Sequence, residues 1–160
     1  MTDRELYMQT WESERPAMVR VFRALPEEKL DYRPHPRSRS AGELASLLVY
    51  IAQIAVEVCD TGRIVWNEPK SGGTLEDMVT ALQLANQELL DRFRKVDDEK
   101  WNQKTPFMVD GQDVLGSTVG EILWTNLLDS VHHRGQLSTY IRPMGGKVPS
   151  IYGPSGDSAS

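Results

Sequence analysis

The side chains most suited to chemistry in this sequence lie in one short run, Asp129-Ser130-Val131-His132-His133-Arg134-Gly135-Gln136. If this run is helical, Asp129 and His133 are four residues apart and share one face. A carboxylate oxygen and an imidazole nitrogen on successive turns can both reach a divalent transition metal. A hydrogen-bonded Asp-His pair that only steadies the helix has the same spacing. With no evidence beyond this spacing, the structural pair is favoured over a metal site.

The other candidate residues indicate less. His35 lies in a proline-bounded loop with no second ligand nearby, which is typical of a surface histidine. Cys59 is the only cysteine, so an intramolecular disulfide and a cysteine-rich metal site are excluded. No basic residue stands beside it to activate the thiol, and we expect a small buried side chain. Arg134, Arg142 and Lys147 either complement the carboxyl end of a helix or bind an anionic ligand.

Four segments with helical periodicity position these residues. Each begins with a capping box, a Ser or Thr followed three residues later by an acid: Thr2 with Glu5, Ser40 with Glu43, Thr74 with Asp77, and Thr118 with Glu121. Apolar residues recur after each box with a period near that of a helix. The fourth segment carries Asp129 and His133 and ends before Pro143. No segment alternates apolar and polar residues as a half-buried strand would, so the predicted fold class is all-α.

Features inside these segments lead to further expectations. Pro16 should kink or break the first helix. Apolar residues cover much of the circumference of the second helix, so it should be the most buried of the four. The residues expected to be buried between the helices are Leu47, Leu48, Ile51, Leu82, Leu123 and Val131.

Two connections between the helices resemble each other. In both, an apolar residue precedes an acidic cluster, a lysine and a second apolar residue, in Leu25-Pro26-Glu27-Glu28-Lys29-Leu30 and in Val96-Asp97-Asp98-Glu99-Lys100-Trp101. Each leads to a helix that starts with Gly-Glu, at Gly42-Glu43 and Gly120-Glu121. This repeat suggests two related helical hairpins, in which the second and fourth helices face each other. The length of the connections predicts a four-helix bundle with long crossover connections.

Length and charge limit the class of protein. The 160 residues fit one domain, predicted as a bundle over residues 1–147 with an extended tail over residues 148–160. A net charge of -5 argues against a nucleic-acid-binding or anionic membrane surface. The N-terminus has no apolar signal region, and the most apolar stretch, residues 44–59, is short for a membrane span. We therefore expect a cytoplasmic protein.

Two stretches of the sequence resemble the DinB/YfiT-like family. Val131-His132-His133-Arg134-Gly135-Gln136-Leu137-Ser138-Thr139-Tyr140, followed by Pro143-Met144-Gly145-Gly146-Lys147-Val148-Pro149, is similar to that family's last helix and tail. Asp31-Tyr32-Arg33-Pro34-His35-Pro36, then Ser38-Arg39-Ser40-Ala41-Gly42-Glu43-Leu44-Ala45, is similar to its entry into the second helix. The resemblance implies a four-helix bundle, often dimeric, with a metal on one histidine of the second helix and two of an H-x-x-x-H motif on the fourth. Family members with assigned roles include metal-dependent thiol transferases and hydrolases.

The resemblance assigns the family's metal positions to three residues of this sequence. His133 is the second histidine of the fourth helix, Asp129 stands in place of the first, and Leu47 stands at the helix-two position. Leucine cannot coordinate a metal. Glu43 and Tyr50 lie one turn away on either side, but Glu43 belongs to a capping box and tyrosine is a rare ligand. We therefore expect binding of zinc or nickel at Asp129 and His133 to be weak or absent.

Two functions are compatible with this pattern. The first is a ligand-binding or non-catalytic DinB-like protein with a degenerate metal site, in which Leu47 lines a cavity for a small molecule. The alternative is a metal-dependent thiol transferase or hydrolase in which Asp129 and His133 hold the metal. In either case we expect a homodimer through the first and third or second helices, because helices with apolar residues round most of their circumference need a second surface to cover them and the resemblance points to dimers. The net charge predicts no nucleic-acid or membrane partner.

Overall fold

A computed structural model describes residues 1–114 and 117–158, which form a mostly helical fold with two small sheets. The long helices are α1 (Asp3–Arg23), α2 (Ala41–Thr61), α3 (Leu75–Phe93) and α5 (Val119–Tyr140), and the short helix α4 covers Asp98–Trp101. All four predicted capping boxes are formed, each with the hydroxyl accepting from the third helical amide and the acid accepting from the cap residue. The four predicted helix starts are therefore confirmed.

Two expectations about individual helices have different outcomes. The helix α1 is continuous from Asp3 to Arg23, so Pro16 does not break it. Buried residues lie on both sides of Pro16, from Trp11 to Phe22, and their packing holds the helix together across the one missing N–H group. The helix α2 is the most buried of the long helices, as expected, because more than half of its residues are inaccessible to solvent.

The long helices pack around a shared interior. The helix α2 contacts α3 and α5, and α1 contacts the same two helices. Two hydrogen bonds show that α2 and α5 run antiparallel: the Asn126 side chain donates to the Ile51 carbonyl over 3.1 Å, and the Tyr140 hydroxyl donates to the Arg39 carbonyl over 3.2 Å. The expected direct packing of the second long helix on the fourth is therefore confirmed.

The all-α prediction is wrong in the connections, where the described residues form five short strands. In one sheet β1 (Ile64–Val65) pairs in parallel with β3 (Phe107–Val109), which pairs antiparallel with β4 (Gln112–Asp113). In the other, β2 (Lys104–Thr105) pairs antiparallel with β5 (Ser117–Thr118). Strands of two or three residues are too short to show alternation of apolar and polar residues, so the sequence carried no signal for them.

In both repeated connections, a residue of the connection lies against a glycine near the start of the following helix. After α1, the Gly42 amide donates to the Leu30 carbonyl over 2.8 Å, close to the start of α2. After α3, the Trp101 ring lies on Gly120 at the start of α5, and a Cβ there would come within 2.4 Å of the indole. In both halves, glycine at the second helical position admits a residue of the preceding connection.

The interior contains five of the six residues expected there. Leu47, Leu48, Ile51, Leu82 and Leu123 are all buried. Val131 is only partly buried, so its placement was wrong. On this part of α5 the interior is occupied instead by Arg134, whose guanidinium pairs with Glu14 of α1.

The helix α2 also bears on the membrane question. Within the described residues it is the one helix long and apolar enough to cross a membrane, since its 21 residues extend beyond the apolar stretch at both ends. The expectation that this segment is too short was therefore wrong. Its apolar side chains pack against the neighbouring helices and belong to the two apolar clusters of the interior.

Candidate functional site

Asp129 and His133 lie on one face of α5, as their spacing predicted. The Asp129 Oδ1 and His133 Nε2 atoms are 3.4 Å apart, and the other ring nitrogen of His133 is 2.8 Å from Gln136 Oε1. The Asp129 side chain is 47% exposed and that of His133 is 19% exposed. The pair therefore lies at the boundary between the interior and the solvent.

Each member of this pair changes the acidity of the other. The hydrogen bond that the His133 ring donates to the Asp129 carboxylate raises the pKa of His133 above its ordinary value, and the contact with Gln136 adds to this effect. The same hydrogen bond lowers the pKa of the Asp129 carboxyl. Both pKa shifts show that the charged forms, an imidazolium and a carboxylate, stabilise each other.

The same two atoms have the spacing of ligands on one metal ion. Two ligands about 2.1 Å from zinc in tetrahedral geometry are separated by roughly the observed 3.4 Å. The segment of the chain that runs alongside them extends from Arg39 to Ile51 of α2, whose carbonyls accept hydrogen bonds from α5. Leu47, the residue that the resemblance places at the family's helix-two position, lies in this segment and is 3% exposed. Over residues 1–114 and 117–158, no three His, Cys, Asp or Glu side chains come together as a metal site.

The remaining sequence candidates are held in structural contacts. His35 is exposed in its loop, where its ring accepts a hydrogen bond from the Arg37 amide over 3.1 Å. His132 is exposed on α5, and its Nε2 is 3.0 Å from the Gln136 side-chain nitrogen. Cys59 is buried, and this burial raises the pKa of its thiol to about 12, so it stays protonated and unreactive.

Two of the three late basic residues, Arg134 and Arg142, are held in ion pairs. Arg134 is 1% exposed and forms an ion pair with Glu14 of α1, while its second terminal nitrogen donates to the Tyr152 hydroxyl over 2.7 Å. Arg142 is paired with Asp157 over 2.8 Å. Arg134 therefore joins α5, α1 and the C-terminal tail inside the molecule, which sequence analysis missed because arginine is rarely so buried.

The structure contains an apolar pocket that sequence analysis did not find. It has a volume of about 170 Å³ and lies between α2 and α5 beneath the connections that carry β1 and β3. Its lining residues are Ile51, Ile54, Ile64, Trp66, Phe107, Ile122, Thr125, Asn126 and Asp129. Only the spacing of Thr125 and Asp129, four residues apart on α5, could have indicated it, because most of its outer wall depends on strands that the sequence did not reveal.

The polar edge of this pocket offers hydrogen-bond acceptors. The Thr125 hydroxyl donates its proton to the Glu121 carbonyl over 2.9 Å, so its oxygen is left to accept. The Asn126 amide donates one of its two N–H groups to the Ile51 carbonyl, and its amide oxygen can accept. Asp129 adds a carboxylate with a lowered pKa. We conclude that the edge suits a positively charged or donor group.

Comparison with known proteins agrees with this fold and with the resemblance seen in the sequence. A model of the DinB family matches residues 1–159. The chain belongs to the DinB family. A comparison with curated proteins gives no match.

Two solved DinB-like structures share the fold. One from Bacillus cereus has a TM-score of 0.74 and 22% sequence identity, covering 92% of this chain and 97% of that one. Another from Bacillus subtilis, YjoA, has a TM-score of 0.72 and 18% identity, covering 93% of this chain and 99% of that one. At these identities the likeness to other DinB-like proteins concerns the fold alone.

Proposed function

We propose that this DinB-family chain is a cytoplasmic four-helix bundle that binds a small organic ligand without a resident metal and without catalysing a reaction. The ligand occupies the pocket between α2 and α5. It is a compact apolar molecule that carries one protonated amine, and the amine faces Asp129. The observation that carries the proposal is the combination of apolar walls with a polar edge that holds the Asp129 carboxylate and the acceptor oxygens of Thr125 and Asn126.

The size and lining of the pocket define the ligand further. A volume of about 170 Å³ suits a ligand with one ring rather than a large cofactor. Trp66 and Phe107 supply aromatic surface on the outer wall, and Ile54 and Ile122 supply aliphatic surface from the two helices. An ammonium group at the open side would pair with the Asp129 carboxylate, whose side chain is half exposed.

The ligand set argues against a resident metal. Asp129 and His133 are spaced for one ion, but catalytic zinc sites ordinarily have three protein ligands. The family's third position is Leu47, a buried apolar residue. Two ligands leave an ion mostly hydrated, so binding of zinc or nickel should be weak or absent, and we assign no chemical step to a metal.

Calorimetric titration with benzylamine tests the proposal directly. The chelator-treated protein should bind benzylamine at a single site, and should bind the neutral benzyl alcohol and the anionic benzoate progressively less well. The variant Asp129→Asn should weaken benzylamine binding about fivefold, because it removes a partly exposed ion pair. Its affinity for benzyl alcohol should change little.

A matched pair of variants locates the site. Thr125→Phe places a ring at the rim of the pocket and should abolish benzylamine binding, whereas Thr80→Phe, at an exposed position of α3, should leave it unchanged. Equal binding by both variants would place the ligand elsewhere. Equal affinity for benzylamine and benzoate would show that the acceptor edge does not select the ligand.

The alternative function remains a metal-dependent thiol transferase or hydrolase that uses Asp129 and His133. The observation in its favour is the 3.4 Å separation of their oxygen and nitrogen atoms. A stoichiometric metal that depends on His133 would favour this alternative over the ligand-binding proposal.

A further inference from the structure

A second cavity lies in the interior of the protein, among all four long helices. It is small, about 30 Å³, with room for roughly one or two water-sized groups. Ile51 and Asn126 line both this interior cavity and the apolar pocket, so they form the partition between the two. The two spaces differ in their polar groups.

Two polar side chains in the wall of the interior cavity have no partner. The Nε–H group of Arg15 is buried without a hydrogen-bond acceptor, and its guanidinium lies 4.8 Å from the Trp11 ring centroid. Arg15 has no carboxylate partner in the described part of the chain. Asn86 is 5% exposed, and its side-chain amide makes no hydrogen bond within residues 1–114 and 117–158.

The other polar groups of this wall are already engaged. Glu14 is neutralised by Arg134 and also accepts a hydrogen bond from Tyr152. The Ser130 hydroxyl donates to the Leu127 carbonyl over 2.7 Å, and one N–H group of the Asn126 amide donates to Ile51. Arg15 on α1 and Asn86 on α3 add donors that make no hydrogen bond within the residues that the structure describes. The cavity therefore offers a positive charge and unused N–H groups.

We propose that this interior cavity binds a small free carboxylate of the size of formate. One carboxylate oxygen accepts from the Arg15 Nε–H group and the other from the Asn86 amide. The Arg15 side chain is only partly buried, but its Nε–H group is enclosed without an acceptor, and Asn86 is 5% exposed. An anion that accepts from both groups supplies the missing hydrogen bonds. The charge preference is opposite to that of the apolar pocket, so the inference does not depend on the proposed function.

Nuclear magnetic resonance with sodium formate tests the proposal, with sodium chloride at the same ionic strength as the baseline. Formate should shift the side-chain resonances of Arg15 Nε–H and Asn86 Nδ2 in a saturable manner. Arg15→Met keeps the apolar stem but removes the charge, and should weaken binding about tenfold or more. Arg23→Met, which removes an exposed cation of the same helix, should bind formate as the wild type does.

Several outcomes would overturn this inference. If formate leaves the two side-chain resonances of the wild type unmoved, the cavity holds water only. If Arg15→Met binds formate as tightly as the wild type, the anion binds elsewhere. The wild-type spectra decide the matter even if a cavity variant fails to fold. Thr125→Phe, which blocks the apolar pocket, should still bind formate, so a failure of the proposed function would be seen separately.

Discussion

At the scale of single residues, the charge of His133 is set by Asp129. The pKa of His133 is raised, so its contribution to stability is fully present below its ordinary pKa of about 6.5 and is lost as the pH rises through the raised value. The pKa of Asp129 is lowered, so its contribution is present above about pH 4 and is lost as the pH falls through the lowered value. The pair therefore stabilises the fold most between about pH 4 and 6.5.

Replacing the Asp129 carboxylate should bring the pKa of His133 back toward its ordinary value. In Asp129→Asn, the pKa of His133 should fall, because the largest cause of its elevation is removed. Nuclear magnetic resonance titration of the imidazole carbon resonances measures the change. Asp91→Asn, an exposed carboxylate on α3, is the control and should leave the midpoint of His133 where it is. An unchanged midpoint in Asp129→Asn would show that the pair is not formed in solution.

The contacts of these residues were predictable to different degrees. The pairing of Asp129 with His133 follows from a helical turn, so spacing was sufficient. The burial of the Arg134 side chain was not predictable, because it depends on contacts with Glu14, 120 residues away, and with Tyr152 in the tail. A sequence gives local neighbours on a helix directly, whereas a buried ion pair between distant segments requires the packing of the whole fold.

At the scale of elements, the helices were predictable and the strands were not. A capping box combines a local hydrogen-bonding pattern with a periodic apolar run, and both are visible in four to eight consecutive residues. The strands β1 and β3 form only because their connections meet over α2 and α5. The outer wall of the apolar pocket, Trp66 and Phe107, arises from that meeting, and the pocket could not be inferred from the sequence alone.

The start of α5 provides a test of how closely the elements fit together. Gly120→Ala would place a Cβ 2.4 Å from the Trp101 ring, so it should destabilise the protein by about 1–3 kcal/mol through overpacking. Gly135→Ala, in the same helix, meets nothing within 4 Å and should stabilise it by about 0.5–1 kcal/mol. Urea unfolding measures both. Equal effects of the two variants would contradict the close contact between α4 and α5.

At the scale of the whole molecule, the tail and the long helices define the available surfaces. Arg20 donates to the Ser150 carbonyl over 3.0 Å, and the Tyr152 hydroxyl donates to Glu14, so the tail lies against α1. The predicted tail runs to residue 160, and residues 159–160 lie outside the described residues. The large apolar side chains that remain exposed on the described long helices are Leu6, Leu84 and Leu128, one each on α1, α3 and α5.

The predicted homodimer can be tested on this surface. The helix α2 is covered within its own chain, so the interface should use α1 and α3 rather than α2. Sedimentation should give a mass near twice 18.1 kDa at micromolar concentration. Leu84→Glu on α3 should shift the protein to monomers, whereas Leu128→Glu on α5 should not. A wild-type mass near 18.1 kDa would refute the dimer.

Metal analysis of untagged, dialysed protein tests whether this DinB-family protein binds its ligand without a resident metal. We expect zinc and nickel well below one ion per subunit in the wild type. Leu47→His should raise the metal content toward one ion, because the resemblance places this position of α2 at the same metal site as Asp129 and His133. A stoichiometric metal in the wild type that disappears in His133→Ala would contradict the account and favour the metal-dependent enzyme.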